Sequence, residues 1–325
     1  MAEPQAAAPE NVLGNRTCVH GECTTKRSKD AGSRNTGGIS ATEDAGARSV
    51  GRRQARADDF QARSDAPVSI LFVGDVVGGI GRHTLIDCLA ALRESHDFTF
   101  VVVNGENAAG GLGITPKIAR SIFAAGVDVI TLGNHAYHRR EVYPYLDEEP
   151  RILRPANYLR SQPGHGTCMV QSASGVKLGV VNLSGNLYVQ AGKSAFVEIE
   201  SALRELEDAD HILVDMHAEA TSEKVGLGWH LDGRVTAVVG THTHIPTADG
   251  RVLPGGTAYI TDVGMTGPRG GVIGVRREQA VESMLTQMPT RFETSEEDPW
   301  MNAVLIRCSQ RRKADAIEQI LMPRP

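Results

Sequence analysis

From Val68 onward the chain repeats one pattern: a short apolar run, a glycine or strand end, then a side chain able to bind a metal ion. Val68 to Val73 reads as a buried strand followed by Gly74-Asp75, and Gly81 to Glu94 as a helix. Thr99 to Val103 is the next strand, leading into Asn104-Gly105-Glu106-Asn107. Thr115-Pro116-Lys117 opens a second helix, with Thr as the N-cap and Pro in the first turn. Val127 to Leu132 is a third strand that ends in Gly133-Asn134-His135. Strand–helix–strand units repeated in this way imply parallel pairing with right-handed crossovers, an α/β fold.

The later chain continues in the same vein. Val176 to Leu183 reads as a strand, Ser194 to Leu206 as a helix, and His211 to Asp215 as a strand closing at His217. Val235 to Val239 is an apolar run followed by Gly240-Thr241-His242-Thr243-His244, and Thr257 to Asp262 is a further strand. Glu278 to Gln287 reads as a helix, Asn302 to Ile306 as a late strand, and the last residues as a short helix. Leu187–Lys193 and Thr221–Gly233 read as loops. Residues 68–325 contain no repeat and no linker, so one domain of two packed sheets with outer helices is expected.

Residues 1–67 differ from everything after them. Ala, Gly, Ser, Arg and acidic residues dominate there, and large apolar residues stand alone, so too little surface can be buried to offset the ordering entropy. The expectation is a disordered extension: a regulatory tail, or a stretch upstream of the true start. Asp58 and Asp59 after the arginine run argue against a mitochondrial transit peptide. The net charge of −5 and 5% aromatic content give neither a basic surface for duplex nucleic acid nor a stacking platform for single strands. No stretch is apolar enough to span a membrane and no signal peptide is evident. The five cysteines are scattered, with Cys18 and Cys23 read as unrelated thiols, and a reducing cytoplasm is the expected compartment.

The chemistry gathers at the strand ends: Asp75, then Glu106 and Asn107, then Asn134 and His135, then His217, then His242 and His244. In open α/β sheets, ligands collect outside the carboxyl ends of strands. Two histidines one residue apart in a loop are weak evidence alone, but five strand ends delivering such residues favour a common metal site. Mixed imidazole and oxygen donors suit Mn, Fe or Zn over Ca or Mg. The donors outnumber what one tetrahedral ion needs; two ions sharing a carboxylate fit the count. Such a pair can clamp a phosphoryl group and generate hydroxide for in-line attack, which is phosphoester hydrolysis. Asp215 and Asp262 read either as supports for the histidines or as strand-end caps. The glycine-rich stretch Thr266–Gly271 reads either as a phosphate-facing loop or as a plain turn. Gly110-Gly111-Leu112-Gly113 lacks the order and the downstream acid of a dinucleotide site. His20, His96, His165, His211 and His230 have no ligand-like company.

The ordered set Gly74-Asp75, Gly105-Glu106-Asn107, Gly133-Asn134-His135, His217 and Gly240-Thr241-His242-Thr243-His244 resembles the calcineurin-like metallophosphoesterase superfamily. Val77 stands where that superfamily's first-motif His would be, and Glu106-Asn107 replaces its second motif. With Asp215-Met216-His217-Ala218-Glu219-Ala220-Thr221-Ser222-Glu223-Lys224 and Asp262 through Pro268, these departures resemble one branch, the YmdB-like 2′,3′-cyclic-nucleotide 2′-phosphodiesterases, across nearly all of Ser69–Gly274. The resemblance implies a four-layer α/β/β/α sandwich. It implies one ion held by Asp75, Glu106, Asn107 and His244, with Glu106 bridging to a second ion held by Asn134, His217 and His242. His135 is implied as the general acid that protonates the leaving ribose 2′ oxygen. It further implies iron or manganese, a cyclic nucleotide or RNA-end phosphodiester as substrate, and a homo-oligomer. The rival readings are a phosphatase or phosphodiesterase with another substrate, such as a 3′,5′-cyclic nucleotide or phosphoprotein, and a metal-stabilised regulatory protein with little turnover. The family usually carries a Trp and an Asp soon after Gly-Asn-His; Tyr137 and His138 stand here instead. Tyr137 is expected to pack as an aromatic, and His138 to lie at a surface helix start with little effect on rate.

Overall fold

The computed structural model describes residues 67–189 and 191–325. The expectation for the N-terminal extension, Cys18, Cys23 and His20 included, lies outside the described residues, as does Gln190. The elements are β1 (Val68–Val73), α1 (Gly78–Arg93), β2 (Phe100–Asn104), α2 (Pro116–Ala124), β3 (Val129–Thr131), a 3-10 turn (Arg140–Val142), α3 (Tyr143–Glu148), β4 (Ile152–Leu153), β5 (Thr167–Gln171) and β6 (Lys177–Ser184). They continue with α4 (Ala195–Glu205), β7 (His211–His217), α5 (Thr221–Leu231), β8 (Ala237–Thr241), β9 (Arg251–Val252), β10 (Ala258–Ile260), β11 (Gly267–Pro268), α6 (Arg277–Thr286), β12 (Pro299–Cys308) and β13 (Ala316–Pro323).

Two sheets form. One runs β11-β12-β1-β2-β3-β4, with β13 also paired to β12; the other runs β5-β6-β7-β8-β10-β9. The strands β1 to β4 are mutually parallel, as are β6, β7, β8 and β10. Antiparallel strands flank both parallel blocks: β12 on β1, β5 on β6 and β9 on β10. Strand parity shows the layering. Leu71, Val73, Val101 and Val103 pack outward with Leu85, Leu89 and Ile122 of the first two helices. Their neighbours Ile70, Phe72, Phe100 and Val102 pack inward with Val180, Leu213 and Val239 of the second sheet. The opposite face of that sheet, Val181, Val214 and Met216, packs on Ile199 and Leu227 of α4 and α5. Successive side chains in a strand point to opposite faces, so a doubly covered strand must be apolar at every position. The result is the α/β/β/α sandwich.

Two expectations are corrected. The C-terminal segment is not a helix but β13, antiparallel to β12 over Arg307↔Ala316 to Trp300↔Pro323. Its helix-favouring residues are overruled by the edge that β12 offers, and none of its residues is fully buried. Residues 221–231 are not a loop but α5. Gly228 lets the helix lie against the sheet: a Cβ there would sit 2.5 Å from Tyr259 Cδ2. Cys88, Cys168 and Cys308 are free thiols. Among the described residues no helix is long and apolar enough to cross a membrane.

His211 starts β7, at the opposite end from His217, and is fully buried. Burial pushes its pKa from 6.5 down to about 4. The folded chain therefore binds fewer protons than the unfolded chain between those values, and stability present above pH 6.5 is lost as the pH falls toward 4. Acidification from pH 7 to 5 should cost about 2 kcal/mol through this ring. Thermal melts of His211→Gln should lose correspondingly less over that range than the parent chain; parallel losses would remove His211 as the cause.

Candidate active site

The parallel strands of both sheets direct their carboxyl ends to one region. Asp75 follows β1, Glu106 and Asn107 follow β2, Asn134 and His135 follow β3, His217 ends β7, and His242 and His244 follow β8. All eight residues are brought together. Asn107 Nδ2 lies 3.1 Å from His244 Nε2, which is 3.9 Å from Asp75 Oδ1. His217 Nε2 is 3.0 Å from Asn134 Oδ1, 3.1 Å from His242 Nδ1 and 3.6 Å from Glu106 Oε1. Asp75 Oδ1 is also 3.9 Å from His217 Nδ1. Two subclusters therefore adjoin, with the Asp75 carboxylate between them and Glu106 beside His217.

Hydrogen-bond partners fix each imidazole's tautomer. Thr241 Oγ1 donates to Asp215 Oδ1 (2.7 Å), so it accepts from His217 Nδ1–H (3.0 Å), leaving a lone pair on Nε2. His242 Nε2 faces the carboxylate of Glu219 (3.1 Å), leaving the lone pair on Nδ1. His244 Nδ1–H donates to the Ile273 carbonyl (2.8 Å), leaving the lone pair on Nε2. The lone pairs of His217 and His242 thus face each other at 3.1 Å beside an amide oxygen, while Asp75 Oδ1 is buried without a hydrogen-bond donor. Converging acceptors of this kind are satisfied by a cation.

The electrostatics agree. Burial raises the pKa of Asp75 and lifts Glu106 to about 8 and Asp215 to about 7, and burial holds His217 well below its usual value. Buried acids that resist ionisation beside imidazoles that resist protonation need positive charge among them. Among the described residues no three His, Cys, Asp or Glu side chains form a metal-holding group by themselves; the amides Asn107 and Asn134 stand beside His244 and His217. Glu106 accepts from the backbone N–H groups of both Gly133 and His135, which ties the β2 and β3 ends together.

His135 lies at the rim. Its Nδ1 meets Asn107 Oδ1 at 2.9 Å, and burial pushes its pKa to about 4, with His138, His242 and His244 adding, so the free ring is neutral near pH 7. Tyr137 packs edge-on against Tyr143 and donates to the Pro163 carbonyl, as an aromatic was expected to do. His138 is exposed in the turn before the 3-10 segment, rather than at a helix start, with its ring 5.9 Å from that of His135.

The backbone of the His-Thr-His loop is strained: φ is +95° at His242 and +68° at His244. Asp262 restrains it, accepting from the Thr243 amide (3.1 Å) and hydroxyl (2.6 Å) and from buried Lys224 Nζ (2.7 Å). Asp215 and Asp262 are thus supports rather than plain caps. Of the glycine-rich stretch, Gly267–Pro268 is β11, and Arg269 is engaged by Asp298 and stacks on Trp300. Glu219, Thr241 and the Ile273 carbonyl escaped the sequence reading. The spacing of Glu219 two residues after His217 was the available signal for the first; a backbone carbonyl leaves none.

Gly133 is required where it stands, because a Cβ would fall 2.1 Å from His217 Cδ2 and 2.2 Å from Nε2. Gly133→Ala should displace that ring, lowering bound metal per chain and cutting turnover by more than about tenfold. Elemental analysis beside a rate assay checks this; unchanged metal content would contradict it.

The fold and this donor set define a protein of the metallophosphoesterase type. The profile of the family described as YmdB-like protein matches residues 71–320. The chain is 44% identical over 255 residues to the 2′,3′-cyclic-nucleotide 2′-phosphodiesterase of Bacillus subtilis (strain 168), covering 78% of this chain and 96% of that protein. A crystal structure of a hypothetical protein from Thermus thermophilus superposes with a TM-score of 0.75 at 37% identity, covering 79% of this chain and all of that one. A novel phosphatase from Mycoplasma pneumoniae superposes at 0.73 with 33% identity, covering 79% and 94%. This chain belongs to the YmdB-like protein family.

Proposed function

We propose that this chain is a metal-dependent phosphodiesterase that hydrolyses 2′,3′-cyclic nucleotides to 3′-nucleotides. The observation that carries the reading is the convergence of lone pairs from His217, His242 and His244 with Asp75, Glu106 and the Asn134 amide oxygen, beside Asn107 and His135. Asp75, Glu106, Asn107 and His244 would hold one ion, and Glu106, Asn134, His217 and His242 the second, with iron or manganese as the metals. When bound, such ions neutralise phosphoryl charge and lower the pKa of water. The chain's own part is to orient and to move protons. Thr241, Glu219 and the Ile273 carbonyl keep the three imidazoles in the ligating tautomer. Water adds to phosphorus and gives up one proton to solvent, the bond from phosphorus to the ribose 2′ oxygen breaks, that oxygen takes a proton from His135, and the ring is reprotonated from solvent. The free ring is neutral near pH 7, and an anionic phosphodiester beside it favours the protonated form that donates.

The 44% identity to a protein named for this activity supports the substrate choice. A compartment without membrane anchorage and a homo-oligomeric state belong to the same reading. The test is a panel of 2′,3′-cyclic nucleotides, 3′,5′-cyclic nucleotides and phosphoprotein with metal-loaded enzyme. Release of 3′-nucleotide from the first alone is expected; preference for another member, or no hydrolysis at all, would overturn the substrate assignment.

A further inference from the structure

A cavity of about 730 Å³ opens from the proposed catalytic residues, and its two sides differ in character. Asn107, His135, His242 and His244 line one side. The other is a wall built by residues 272–294, with Ile273, Met284 and Phe292 among its lining side chains. That wall is fastened to the metal-ligand side. The Ile273 carbonyl takes the His244 Nδ1–H, while within the wall the Ser295 amide donates to the Gly274 carbonyl (3.0 Å). Yet Met284 and Phe292 themselves stay 71% and 51% exposed, facing no partner that would bury them. A large apolar surface left open next to polar, reaction-competent groups marks a ligand's apolar part.

The chemistry of the wall narrows that ligand. Among the described residues lining it, Ser283 and Thr294 are the polar side chains, and the cavity as a whole is lined by no lysine or arginine. Nothing there reads a base edge through paired donors and acceptors, and nothing binds a second phosphate. We propose that residues 272–294 form the subsite for the nucleobase, with Phe292 and Met284 as its contact residues and a mononucleotide carrying one phosphodiester as the ligand. The proposal rests on the phosphodiesterase reading above. It makes base recognition a matter of face contact, which is tolerant of base identity because every base has a π-face. Purines, with the larger face, should be preferred, and the 5′-phosphates of an RNA chain gain nothing from the cavity.

The test compares the parent enzyme with Phe292→Ala and Met284→Ala on adenosine 2′,3′-cyclic phosphate and on a base-free ribose 2′,3′-cyclic phosphate. In Phe292→Ala the KM for the adenosine substrate should rise about tenfold with kcat within about twofold, while kcat/KM for the base-free substrate stays unchanged. Met284→Ala should show a smaller rise of the same kind. Unchanged KM, or equal losses on both substrates, would overturn the subsite. So would a change in light-scattering mass without any effect on the adenosine substrate, which would make the wall a contact between copies. If the parent enzyme hydrolyses no cyclic nucleotide, the phosphodiesterase reading fails and the subsite is judged by calorimetric binding of adenosine 3′-monophosphate. Binding weakened about tenfold in Phe292→Ala keeps it; equal binding, or none by the parent, ends it.

Discussion

Replacement of His135 by alanine is expected to lower kcat on a 2′,3′-cyclic nucleotide by about 10²- to 10⁴-fold while the metal content per chain stays at the parent level. The side chain sits at the rim, not among the converging acceptors: its Nδ1 contacts the amide oxygen of Asn107 and lies 3.5 Å from Glu106 Oε1. Its backbone N–H, which braces Glu106, survives the substitution. Proton delivery is therefore lost without dismantling the ligand set. An aryl phosphodiester with a good leaving group needs less protonation, so the variant should recover part of the lost rate on it. Full activity of His135→Ala on the nucleotide would remove the ring as the acid.

Asp75→Ala should behave differently, losing both metal and turnover, the latter by more than about 10²-fold. Asp75 is fully buried at the end of β1, and one oxygen accepts from the His242 amide (3.1 Å) while the other faces the imidazoles of His217 and His244. The alanine variant loses the charge and also the brace on the His242 backbone. Asp75→Asn keeps an oxygen for that amide and loses only the charge, so it should fold closer to the parent while still binding less metal. Elemental analysis and melting curves of the pair separate the two effects. Parent-level metal in both variants would exclude Asp75 as a ligand.

The gathering of the candidate residues was legible in the sequence because a parallel sheet gives strand ends a common destination. Each of β1, β2, β3, β7 and β8 is an apolar run that stops at a polar residue, and proximity follows from topology. What escaped depends on partners distant in the chain. β13 is a strand because β12 has an edge to fill, which local composition does not express. α5 contains two glycines, and one of them lies against Tyr259. The short strands β4, β5 and β9 are set by their neighbours in the sheet rather than by runs of their own. The orientation of the imidazoles is likewise set from outside the motif, by Glu219, by Thr241 and by a backbone oxygen at Ile273.

The positive φ angles at His242 and His244 limit how far this loop can be transplanted. A free peptide of the same five residues would desert that conformation, since each such residue costs on the order of 1–3 kcal/mol. Asp262, clamped by Lys224, holds the middle of the loop, and Gly240 admits the Thr261 carbonyl where a Cβ would come within 1.7 Å. A designer who grafts the two histidines onto another scaffold must carry a glycine, a buried lysine and an aspartate from two further segments with them. The smallest portable unit is the end of β8 together with one turn of α5 and the exit from β10.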